Sequence, residues 1–185
     1  MICGGVAFCS FLYELVFAYI LSITTGNAAQ HYLLSIGVFL ASLGAGSLIY
    51  GRWFSLRSTF RVFLGVEFLL ALSASTIPYF LSSKLQEISH TTMETNSVTM
   101  LGYLGLALIG ILSGMELPIF LGLPYLSSRL LGFDYLGMAF ASIWFSFFAL
   151  GEINFIDLVQ WVACANVGFA GLWVLAYLAS AERHA

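Results

Sequence analysis

Four carboxylates interrupt apolar stretches of this sequence. They are Glu14 in "CSFLYELVFAYI", Glu67 in "RVFLGVEFLLAL", Glu116 in "GILSGMELPIF" and Asp134 in "LLGFDYLGMAF". An acid inside an apolar run has three uses open to it. It pairs with a cationic side chain, it carries a proton, or it binds a cationic ligand in a polar cavity. Arg52, Arg57 and Arg61 lie near the expected depth of Glu67, Glu116 and Asp134, so structural ion pairs are the first expectation there. Glu14 has no such cation near it along the chain and sits about 15 Å along its helix from either end. It either holds a proton or meets a cation, and a site shared by Glu14 and Glu116 is the sharper alternative. Glu152 and Asp157 flank a short turn that water reaches. No nucleophile stands beside a base, so no catalytic residues are expected, and no cofactor either.

Composition sets the solvent. Of 185 residues, 61% are hydrophobic and 8% are charged, against roughly 25% charged in soluble domains. A soluble fold of this size has too little interior for that much apolar surface. The expected class is an all-α integral membrane protein. The net charge of −3 gives no footprint for nucleic acid.

A membrane-spanning helix needs about 20 mostly apolar residues. Six stretches qualify: about 4–24, 31–51, 62–82, 98–123, 133–150 and 155–181. Unbroken runs favour helices over barrel strands, which alternate in segments of about 10 residues. The expectation is one transmembrane domain over residues 1–185, a six-helix bundle with short connections. The polar stretch "SKLQEISHTTMETNS" (83–97) is the one candidate for a sizeable external loop. The apolar N-terminal run lacks a basic leader and a cleavage signature, so it reads as a retained helix.

Basic residues set orientation. Arg52, Arg57, Arg61, Arg129 and Arg183 fall in connections on one side, and Lys84 on the other. The positive-inside rule then places both termini in the cytoplasm, here of a bacterial cytoplasmic membrane.

Helices in lipid associate through small residues that let backbones approach. Gly37, Ala41 and Ala45 make one stripe on the second helix, Gly110 and Gly114 another on the fourth, and Gly137 with Ala141 a third on the fifth. These three helices are expected to pack most tightly. Pro78 is expected near the outer end of the third helix. Pro118 is expected to free the carbonyl of Gly114. Cys3, Cys9 and Cys164 have no metal-ligand spacing and read as small hydrophobes, and His31, His90 and His184 fall near helix ends, so no metal site is expected.

Several segments resemble the membrane region of membrane-bound, fused spermidine synthases. They are "YELVFAYILSITTGN", "GVFLASLGAGSLIYGRW", "VFLGVEFLLALSASTIPYFL", "SGMELPIFLGL" and "FDYLGMAFASI". The shared features are Tyr13 to Val16, the pair Gly51-Arg52, the set Gly114, Glu116 and Pro118, and Asp134 to Gly137. The resemblance covers residues 4 to 150. It implies a six-helix unit similar to half of a major-facilitator transporter, built as three plus three helices of inverted topology. The pairs "ELVF" with "ELPIF" and "LGAG" with "LGMA" agree with such a repeat. Fused synthases also carry a soluble aminopropyltransferase domain with a glycine-rich nucleotide-binding turn, and no such unit stands in these residues. The expectation is a protein that is not itself an enzyme.

The leading expectation is therefore a scaffold or accessory subunit of a larger membrane complex. The alternative is a small transporter or binding module for a cation, a polyamine or a proton, acting as a dimer through Glu14, Glu67 and Glu116. The expected partners are the bilayer and a further protein chain, in a heteromeric complex or a homodimer.

Overall fold

The structure, a computed structural model, describes residues 2–25, 28–54, 59–87, 92–121, 127–149 and 153–182. It is all-helical: α1 (Ile2–Thr25), α2 (Ala28–Ile49), α3 (Thr59–Glu87), α4 (Thr92–Leu121), α5 (Ser127–Trp144) and α6 (Phe155–Glu182). A π-helical turn continues α2 over Tyr50–Phe54, and another continues α5 over Phe145–Ala149. By length and composition, six helices can cross a membrane, with spans from Ile2–Ser22 to Phe155–Ala176. Hydrocarbon offers no partner to a backbone amide, so each apolar segment satisfies its amides within its own helix.

The polar stretch 83–97 is largely helical. Helix α3 runs on to Glu87 and α4 begins at Thr92. Their apolar windows stop at Lys84 and start at Asn96, so both helices extend past them with polar residues. Pro78 likewise does not end its helix; it lies inside α3. Pro118 lies inside α4, where it leaves the Gly114 carbonyl without its usual donor.

The centre of the bundle is α1 with α4. In each, 61% of the apolar window is buried, against 22% in α2 and 17% in α5. The expected small-residue helices α2, α4 and α5 all take part in the two most extensive helix contacts, while burial centres on α1 and α4. Small residues allow close approach along one edge, but large interior side chains set the centre. Tyr13, Phe17, Leu12 and Leu21 of α1 are all fully buried.

The close approaches are specific. The most extensive helix contacts are α2 on α4 and α1 on α5. Between α2 and α4, a Cβ at Gly46 would run into the Ile111 carbonyl, and one at Gly114 into the Leu43 backbone. A Cβ at Gly110 would stand 2.7 Å from Ser42 Cβ. Between α1 and α5, a Cβ at Gly137 would strike the Gly4 carbonyl. The stripe expected at Gly37, Ala41 and Ala45 is not the contact edge. Gly37 has open space beside it, Ala41 is exposed and Ala45 is half-buried. The edge lies around the helix at Ser42 and Gly46, because the period of 3.6 residues separates the two rows. Gly37→Ala is therefore expected to leave thermal stability unchanged or raise it by up to about 1 kcal/mol, the gain in helix propensity. A melting curve in detergent checks this.

Candidate functional site

Helix α4 brings Glu116 to the middle of the bundle. Its Oε2 accepts a hydrogen bond from the Ser10 hydroxyl of α1 at 3.2 Å. Its Oε1 is buried with no hydrogen-bond partner. The side chain borders a cavity of about 260 Å³ between α1, α2, α4 and α5. Asp134 of α5, Ser10, Ser47 and Ser113 supply further polar atoms to the wall, and Phe39, Leu43 and Phe120 supply much of the apolar remainder. Cys3 Sγ stands 4.0 Å from Asp134 Oδ1 at one edge.

A second group of polar side chains lies on the α3 side. Glu67 is 1% exposed, and neither carboxylate oxygen has a hydrogen-bond partner. Glu116 is within electrostatic range of both Glu67 and Asp134. Tyr13 of α1 is within range of Glu67 and Glu116, and its hydroxyl is buried without a partner. Asn166 of α6 is fully buried with both amide atoms unpaired. Among the described residues, no three His, Cys, Asp or Glu side chains converge closely enough to hold a metal ion.

Three aromatic rings underlie this second group. Phe63 of α3, Phe120 of α4 and Trp173 of α6 meet with centroid separations of 5.2 to 5.3 Å. Phe63 precedes Glu67 by four residues and Phe120 follows Glu116 by four, on helices of opposite direction. Both rings thus lie about 6 Å, one helical turn, from their acids, toward the end of the bundle that carries Arg52 and Arg61. Phe120 also lines the cavity, so the floor and the cavity share a wall.

The arginine pairing expected for Glu67 and Glu116 is not what the structure builds. Neither carboxylate meets an arginine, and Arg52, Arg61 and Arg129 are exposed. Arg61 precedes Glu67 by less than two turns, yet Arg61 is exposed while Glu67 is buried. Arg57, Glu152 and Arg183 lie outside the described residues, as do His90 and His184. The partner expected for Glu116 also changes. Its charged neighbours are Glu67 and Asp134, and α1 reaches it through Ser10. Glu14 is buried one turn further along α1 from Ser10. Ser10, Tyr13, Asn166 and Trp173 were missed as site residues. The available signal was that Ser10 and Asn166 are polar at mid-span, where hydrogen-bonding side chains seek partners on other helices.

The chain is similar to polyamine aminopropyltransferases. It is 30% identical over 179 residues to the polyamine aminopropyltransferase of Leptospira interrogans, which covers 90% of this chain and 34% of that protein. It is 29% identical over 150 residues to polyamine aminopropyltransferase 2 of Ralstonia nicotianae, covering 76% of this chain and 28% of that one. The chain thus spans about a third of the length of the curated relatives it matches. The similarity is weak and confined to part of each relative, as for a fragment of a fused synthase, and it gives no catalytic domain to these residues. No family model matches the chain, and no solved structure matches it.

Proposed function

We propose that this chain is a membrane-embedded module that binds a cationic amine inside its helix bundle, as an accessory to polyamine chemistry. Glu116 carries the reading. One of its oxygens is fixed by Ser10, and the other is buried, unpaired and beside a cavity that Asp134 shares. A carboxylate left without a partner in a low-dielectric interior costs several kcal/mol, and a bound ammonium offsets that cost by charge and hydrogen bonding together. The similar proteins are named for polyamine chemistry, which makes a polyamine the natural amine.

Two features support a finer architecture of two inverted three-helix repeats. Exchanging α1 to α3 with α4 to α6 turns the α2–α4 contact into the α5–α1 contact, and these are the two most extensive in the bundle. The π-helical turns continue α2 and α5, which are counterparts under the same exchange. Exposed Arg52, Arg61 and Arg129 at one end support placing that end, with both termini, in the cytoplasm. A second protein chain remains part of the reading. On α5, Tyr135, Leu136, Phe140, Ile143 and Phe147 form an exposed apolar surface suited to lipid or to a neighbouring subunit, in a heteromeric complex or a homodimer.

The test is calorimetric titration of spermidine into the detergent-solubilised protein. Wild type is expected to bind, and Glu116→Gln to bind on the order of tenfold or more weakly, the loss of one charge-assisted hydrogen bond. Equal affinity in the two proteins would overturn the reading.

A further inference from the structure

The cavity at Glu116 accounts for one end of an amine. It leaves Glu67, Tyr13 and Asn166 without a use, although all three are buried and all carry unpaired polar atoms. Buried polar atoms without partners are rare in native proteins and mark a missing water, ion or ligand. The ring contact between Phe63 and Trp173 fixes the register of α3 against α6. Counting outward from it, Glu67 stands about 6 Å and Asn166 about 10 Å from the aromatic floor. Tyr13 lies one turn beyond Cys9 and Ser10, which brings it level with that group.

Resting on the amine-binding reading above, we propose that Glu67, Tyr13 and Asn166 form a second ammonium subsite, so that the ligand is a linear amine with at least two ammonium groups. The chemistry matches by count. A primary ammonium has three N–H donors, and the subsite supplies three acceptors: the Glu67 carboxylate, the Tyr13 hydroxyl and the Asn166 carbonyl. Aromatic faces stabilise a cation and its flanking methylenes, and Phe63 of the packed trio Phe63, Phe120 and Trp173 lies one helical turn from Glu67. Phe120 borders both subsites, so the methylene chain runs along its edge from one acid to the next.

The experiment compares three probes on the protein in detergent: butylamine, 1,4-diaminobutane and spermidine. In wild type, the two polyvalent amines are expected to bind at least tenfold more tightly than butylamine. Glu67→Gln is expected to remove most of that advantage while leaving butylamine affinity within about twofold, and Tyr13→Phe, which deletes a hydroxyl alone, to reduce it in part. If Glu116→Gln weakens every amine but Glu67→Gln and Tyr13→Phe leave the spermidine-to-butylamine ratio unchanged, the second subsite is wrong and the first stands. If no probe binds wild type, the amine-binding reading itself falls, and the subsite with it.

Discussion

Gly114→Leu is expected to pull α2 away from α4 and to lower the melting temperature in detergent more than any other single change named here. A side chain at this position meets the Leu43 backbone, which cannot rotate out of the way as a side chain tip does. Its own neighbour across the contact is Gly46, whose missing Cβ leaves room for the Ile111 carbonyl and the Gly114 Cα. The two backbones thus touch at a point where both helices lack side chains. Overpacking a core costs about 1 to 3 kcal/mol even when side chains can shift. With backbone as the obstacle, about 3 kcal/mol or more is expected, a fall on the order of 10 °C for a chain of this size. Gly37→Leu, on the same helix pair but facing open space, is the control and is expected to leave the melting temperature within a few degrees. Equal loss in both variants would sink the proposed contact edge.

The second large effect runs in the opposite direction. Glu67→Met is expected to stabilise the empty protein by about 1 to 3 kcal/mol, because a buried group with unmet hydrogen bonds is replaced by an apolar chain of similar length. Both Glu67 oxygens lack partners, and the surroundings include fully buried Phe63 and Leu70. A residue kept for folding alone would lose stability on this change. One kept for a ligand gains it, since active and binding sites commonly hold groups that weaken the unliganded fold. Thermal unfolding without amine is the measurement. A fall in melting temperature would show that Glu67 has a structural partner and would remove the ground for a ligand there.

How much of this could be read beforehand depended on the kind of information involved. The six helices were legible, because each apolar run is long and uninterrupted, and length alone decides whether a segment can cross. Glu116 was legible as a site residue, because an acid and a proline in one apolar segment are both costly. Its neighbours were not legible. Glu67 and Glu116 stand together through the register of α3 on α4, which is set by the ring contact of Phe63 with Phe120 and leaves no mark in local spacing. Glu14 looked equally suitable by depth, yet it stands one turn along α1 from Ser10, the residue that meets Glu116. The packing edge of α2 failed for a related reason. Glycine-rich helices contain several rows of small residues, and only the partner's shape selects one.

The aromatic trio has a consequence for selectivity by size. Phe63, Phe120 and Trp173 pack together about one helical turn from Glu67 toward the arginine-bearing end, and Phe120 also borders the cavity at Glu116. On the two-subsite proposal, an amine that reaches Glu67 from the cavity passes the edge of Phe120. Such a passage would work as a gauge: a bare methylene chain is expected to bind, and a branched or N-alkylated amine of the same charge is expected to be excluded by its girth.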